Sequence, residues 1–336
     1  MSAAAAMTPA NIHEQTERSM NSILNYAAMK SWRGTIAFLA GLVMLAAAPS
    51  AWAAAAAAQK TFASPEEAVK ELVAAMRADD AKALLVVLGT GAKDIVSSGD
   101  AVADRTTRER FVQAYEQANK IEGAGDGRAI VSIGKDGWPF PIPVVKVKDG
   151  WRFDVKQGRE EILNRRIGRN ELTVIQVVKA YVDAQRDYYL LNPQQDKLLS
   201  YAQKFVSTKG KRDGLYYPTK NGEQPSPLGS LFAAARAEGY KAGTASHPNA
   251  YHGYYYKILK AQGKDAPGGA YGYVAQGKMI GGHALVAWPA TYGNSGVMSF
   301  IVNHDGAVYQ KDLGPGSAEA AQKMTTFNPD GTWTKQ

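Results

Sequence analysis

The sequence predicts an α+β protein. Three observations carry that expectation. Apolar residues recur at helical spacing up to about residue 120, and alternation punctuated by Asp-Gly turns follows as far as residue 154. One long helical stretch then precedes a further set of strand-like runs. Two such cycles imply two domains, 54–168 and 169–336, behind an N-terminal segment 1–53.

In the first cycle, Ser64-Pro65-Glu66-Glu67 opens a helix: Ser64 can cap, Pro65 suits the first turn and Glu67 completes a capping box. Val69, Leu72, Val73 and Met76 follow at helical spacing. A short apolar helix is expected over Ala81–Leu88, stopped by Gly89, and a third over Thr106–Lys120 with Phe111, Val112 and Tyr115 inward and Arg105, Arg108 and Arg110 solvated. Strands are then expected at Ala129–Ile133, at Phe140–Val147 (an edge strand, given Pro141 and Pro143) and at Trp151–Asp154 after the Asp149-Gly150 turn. A helical segment Arg159–Ile167 closes the domain. Helices followed by a curled antiparallel sheet give the element order of a nuclear-transport-factor-like cone, an analogy that carries no chemistry.

The second cycle begins with a helix from Glu171 to Leu191, with Val174, Val178, Tyr181, Val182 and Tyr189 near one face. A Gly-, Lys- and Pro-rich loop spans Lys209–Pro227, and a short helix covers Leu228–Glu238. Strands are expected at Tyr251–Leu259, Tyr271–Ala275, His283–Trp288, Val297–Val302 and Ala307–Lys311, the last two joined by the hairpin signal Asp305-Gly306. The expected arrangement is a long helix packed on an antiparallel sheet of four or five strands.

Composition sets further bounds. With no cysteine in 336 residues, disulfides, thiolate metal sites and cysteine nucleophiles are excluded. At 45% hydrophobic and 21% charged residues, the chain reads as globular. Gly34–Ala48 is uninterrupted by charge, follows Lys30 and Arg33, and precedes Ala51-Trp52-Ala53. That is the pattern of a signal peptide cleaved after Ala53, so an exported protein of the periplasm or beyond is expected, with no membrane span after cleavage. Residues 1–53 hold three of the basic and two of the acidic residues, which leaves +7 of the total +8 on residues 54–336.

The stretch YHGYYYKIL (251–259) and the string from Ala266 to Gly314 resemble the signature of a secreted bacterial family known only as domain of unknown function 2950. DGWPFPIPVVK (136–146), EEILNRRIGRNEL (160–172) and YVDAQRDYY (181–189) resemble it too. The resemblance implies an exported protein and brings no activity, cofactor or catalytic residue with it. The helix-then-sheet order of the second half is also loosely similar to the heads of type IV pilins and pseudopilins. Those proteins keep a hydrophobic N-terminal assembly helix, whereas this chain is expected to lose its only apolar segment.

No motif points to catalysis. Gly293-Asn294-Ser295-Gly296 lacks the spacing of a nucleophile elbow, and neither a phosphate loop nor a dinucleotide fingerprint occurs. His252, His283 and His304 are weak metal candidates, since their spacing forces no shared site, and no cofactor is expected. Arg165, Arg166 and Arg169 form the densest charged cluster at the domain junction, either as an anion-binding groove or as a hinge paired with Glu160, Glu161 and Glu171. Fifteen of the seventeen tyrosines follow residue 180, and Tyr254 and Tyr256 share a strand face. With Trp288 and Tyr292 they make a candidate binding surface.

The leading expectation is therefore a non-catalytic envelope protein that binds another protein or an anionic polymer through its C-terminal sheet. Nucleic acid is not an expected partner. The alternatives are a periplasmic enzyme, such as a hydrolase, with its site near Arg165, Arg166 and His252, and a pilin-like structural subunit.

Overall fold

A computed structural model describes residues 59–125, 127–241 and 249–336. The expected signal peptide, its cleavage site at 51–53 and His247 lie outside the described residues.

The first cycle forms much as expected. Helix α1 (Pro65–Arg77) starts where the Ser64 hydroxyl accepts the Glu67 amide at 3.2 Å. Glu67 reaches back to the amide of Ala63 rather than to that of Ser64. Helix α2 (Ala81–Leu88) is capped by Asp80 and ends at Gly89, whose φ of +88° favours glycine. A 3-10 turn (Thr90–Ala92) and a short helix α3 (Lys93–Val96) lead to α4 (Ala101–Gln117). Helix α4 starts five residues before the expected Thr106 because Asp100 caps it, accepting the Ala103 amide. Phe111 and Val112 point inward as expected, but Arg108 is not solvated; it pairs with Asp79 and donates to the Val96 carbonyl.

The strands β1 (Asn119–Gly123), β2 (Arg128–Ile133), β3 (Trp138–Pro139), β4 (Val144–Val147) and β5 (Gly150–Phe153) form an antiparallel sheet in the order β1-β2-β4-β5, with β3 on β2. The expected strand Phe140–Val147 is cut to its last four residues, since Pro141 and Pro143 offer no amide to a ladder. Phe140 still packs, edge to face, on Phe111 and Phe153. Phe62 and Trp151 exchange backbone hydrogen bonds of 2.8 Å, and a side chain on Gly150 would meet the Phe62 carbonyl at 2.4 Å.

The expected helices Arg159–Ile167 and Glu171–Leu191 are one helix, α5 (Val155–Leu191), which runs through the expected domain boundary at 168/169. Gly168 does not break it; a mid-helix glycine costs only about 1 kcal/mol, and packing at both ends outweighs that. The helix stops at Asn192 in the left-handed region. Tyr188, not Tyr189, is the buried tyrosine near its end.

After α6 (Gly229–Ala237), a second antiparallel sheet has the order β14-β13-β12-β11-β6, built from β6 (Tyr254–Leu259), β11 (Ala284–Pro289), β12 (Met298–Asn303), β13 (Val308–Asp312) and β14 (Thr334–Lys335). The expected strand Tyr271–Ala275 is not part of it. Small two-stranded pairs take its place: β7 (Ala261–Gln262) with β8 (Tyr271–Gly272), and β9 (Val274–Ala275) with β10 (Lys278–Met279). Helix α5 covers one face through Val174, Val178 and Tyr181 against Leu285, Phe300 and Val302. Helix α7 (Ser317–Lys323) and Phe327 cover the other, against Val286, Trp288 and Ile301. All six residues of β11 are buried. A third cluster fills the first cycle, from Phe62 to Val155. Among the described residues, no helix is long and apolar enough to cross a membrane.

Candidate functional site

The two cycles are joined by polar groups along α5. The Arg166 guanidinium donates to the carbonyls of Asp94 and Ile95 and to Asn294 Oδ1, while Asn294 Nδ2 donates to the Ser97 carbonyl at 3.0 Å. Asn170 donates to the Ser295 carbonyl, and one Glu171 oxygen accepts the amides of Val297 and Met298 at 2.9 Å each. The buried Asp100 carboxylate accepts the Tyr240 hydroxyl and the Gly253 amide, both at 2.9 Å. Arg166 is thus spent on holding the two halves together. Arg165 pairs with Glu161 and lies over the Trp138 ring at 4.8 Å. Arg169 is exposed.

The expected aromatic surface is mostly core. Tyr254 is 0% exposed, packs on Phe300 and donates its hydroxyl to the Met298 carbonyl at 2.9 Å. Trp288 is 5% exposed beneath Tyr255 on the opposite face. Tyr256 is half-buried with its hydroxyl on the Tyr251 carbonyl, and half-buried Tyr292 donates to Asp312. The cause is that both faces of the sheet are covered, the Tyr254 face by α5 and the Trp288 face by α7 and Phe327.

The three candidate histidines do not converge. His252 lies between Tyr240 and Tyr251 with its Nε2 3.6 Å from Glu238. His283 and His304 are neighbours with ring centroids 6.1 Å apart, at the end of the α5-facing side of the sheet. Tyr181 and Tyr201 pack on His283 at 5.4 and 4.8 Å, and Tyr273 packs on His304 at 5.7 Å. His283 is 2% exposed, and burial, with the His304 charge adding to it, pushes its pKa down to about 3. The Nδ1 atoms of both rings are buried without a hydrogen-bond partner. Each such orphan costs about 1–3 kcal/mol.

Tyr201, which also stacks on Tyr189 at 4.9 Å, lines a cleft of about 520 Å³. Tyr188, Asp196, Lys204, Asp213, Lys260 and Lys278 also line it. Lys204 pairs with Asp213 at 2.7 Å and Lys278 with Asp196 at 2.9 Å. Burial raises the Asp213 pKa, but hydrogen bonds from Lys204 and Thr208 outweigh it and hold the carboxyl at about 2. Burial pushes the Tyr188 hydroxyl up to about 12. Sequence reasoning missed this cleft. Its walls come from the irregular stretch 193–217 and from the β9–β10 turn, where no periodicity marks an inward residue.

A family profile matches residues 59–336, and its description is "Protein of unknown function (DUF2950)". No curated protein and no solved structure matches the chain.

Proposed function

The chain belongs to the protein family of unknown function DUF2950, and we propose that it is an exported, non-catalytic binding protein of the bacterial envelope. In this reading the cleft beside Tyr201 holds a segment of an anionic envelope polymer. Export is supported by the uncharged run Gly34–Ala48 followed by Ala51-Trp52-Ala53.

The observation that carries the binding reading is the charge pattern of the cleft, three lysines against two aspartates. A general acid or base works best with a pKa near the operating pH. Asp213, at about 2, and Tyr188, at about 12, both stand far from neutrality. The cleft offers charged and hydrogen-bonding side chains beside the Tyr201 ring, which is the equipment of recognition. Three lysines face two aspartates across it, and Lys260 has no acidic partner among the described residues. That surplus, on a body of net charge +7 over residues 54–336, favours an anionic ligand.

The test is retention of the purified exported chain on isolated envelope polymer and on envelope protein, at low and high salt. Polymer retention that weakens with salt and falls in Lys260→Ala and Tyr201→Ala, at unchanged melting temperature, is the expected result. Undiminished retention in both variants, or capture by the protein fraction alone, overturns the assignment. Recovery of the chain in the cytoplasmic fraction overturns export.

A further inference from the structure

The cleft beside Tyr201 holds an uneven stock of hydrogen-bonding groups. Each of its two carboxylates is neutralised by a lysine, Asp213 by Lys204 and Asp196 by Lys278. Lys260 is the cation of the lining left without a carboxylate among the described residues. Two glutamines of the lining spend their amino ends on the protein itself. Gln194 Nε2 donates to the Tyr188 hydroxyl at 3.0 Å, and Gln203 Nε2 donates to the Gly277 carbonyl at 2.8 Å. Each keeps an Oε1 with no donor among the described residues, and Asp196 keeps Oδ1, since its lysine stands on Oδ2. Acceptors are therefore in surplus, and one positive charge is unspent.

That stock selects among anionic polymers. A polyphosphate brings charge at every link and no hydroxyl donors, so its oxygens would face the oxygens of the cleft. Its favoured partner is the arginine fork, and no arginine lines the cleft. A carboxylated sugar brings the complement: one carboxylate to accept from a lysine, several hydroxyls to donate, and C–H surface to pack on a ring. Tyr201 is fixed in place for the last of these. Its amide donates to the Met279 carbonyl at 2.7 Å, and its ring stacks on Tyr189 and meets His283 edge to face. A ring already held loses little freedom on binding. The volume of about 520 Å³ lies within the range of small-ligand pockets, about 300–1,000 Å³.

We propose that the cleft takes an acidic polysaccharide, with a sugar carboxylate on Lys260 and neighbouring hydroxyls donating to Gln194, Gln203 and Asp196. The assignment rests on the anionic-polymer reading above and narrows it. The Lys204 and Lys278 ion pairs have a part in it, because they keep both aspartates ionised and so able only to accept. The same aspartates select against a more densely charged chain, whose extra anions they would repel.

The test compares the affinity of the purified exported chain for polygalacturonate, alginate and hyaluronate with that for methyl-esterified polygalacturonate, polyglutamate and polyphosphate. The ester keeps the ring hydroxyls and loses the charge. Polyglutamate keeps the carboxylates and loses the hydroxyls. The tightest binding is expected on a carboxylated polysaccharide, and Lys260→Ala should weaken it by about tenfold. Gln203→Ala should weaken it by about fivefold, at an unchanged melting temperature. Equal or tighter binding to polyphosphate or polyglutamate, lost in Lys260→Ala, overturns the sugar assignment and leaves the anionic-polymer reading standing. So does retention on isolated envelope polymer with none on the three polysaccharides. Equal binding to the ester, or no binding to any probe or to envelope polymer, overturns both. Undiminished binding in both variants places the ligand outside the cleft and overturns the site. The probes are compared on the wild-type chain, so they decide the question even if a variant folds poorly.

Discussion

The two sheets of this chain are made from similar strands and treated in opposite ways. In the first, β2 alternates between buried and less buried positions along its length, as a strand with one covered face does. In the second, β11 is buried at every residue, because α5 lies on one face and α7 with Phe327 on the other. A tyrosine on the first kind of strand has a side open to water. On the second kind it fills a core whichever way it points. A three-layer arrangement therefore turns what looks in sequence like an aromatic binding surface into packing.

The sharpest way to break that contrast is Tyr254→Ala. Removing a fully buried aromatic ring costs about 3–5 kcal/mol, so a large drop in melting temperature is expected, read by thermal denaturation. A near-neutral result would mean the second sheet has an open face after all. Next comes Arg166→Ala, which strands the carbonyls of Asp94 and Ile95 and leaves Asn294 Oδ1 unfilled. We expect a loss of about 2–4 kcal/mol and faster hydrogen exchange in residues 94–97 and 291–296.

A pH titration probes the end of the second sheet. His283 is neutral in the fold down to about pH 3, whereas in the unfolded chain it protonates near pH 6.5. The unfolded state then binds more protons between those values, so His283 adds nothing to the pH dependence above about 6.5 and costs stability progressively from there towards about 3. Equilibrium unfolding of His283→Phe should show a shallower decline over that window than wild type; an identical slope would locate the titration elsewhere. The smallest stability effect is expected at the cleft rim. Lys278→Ala removes a partly exposed ion pair with Asp196, worth about 0–1 kcal/mol, and should reduce polymer retention far more than it moves the melting temperature.

How far the sequence could be read follows from the same contrast. The Ser64 cap, the α2 stop at Gly89 and the Asp305-Gly306 hairpin were legible because each depends on a few adjacent residues. The union of two helices into α5 was not, since Gly168 reads as a break until tertiary packing outweighs its propensity. The burial of Tyr254 and Trp288 was hidden because it depends on what covers each face, α5 over Tyr254 and the late-arriving α7 and Phe327 over Trp288. The meeting of His283 and His304 was not legible: their strands are joined through the loop 290–297, and only the pairing of Ala284 with Asn303 identifies the partners. The cleft had no signal of its own, because its lysines and aspartates belong to irregular backbone.

Helix α5 has a mechanical consequence. Its 37 residues amount to a rod about 55 Å long, with one end in the first core and the rest against the second sheet. Swinging one half against the other would mean bending that rod or pulling the Arg166 guanidinium away from its carbonyls. Large hinge closure around a ligand is therefore expensive, and compliance is left to the loops at the sheet's end.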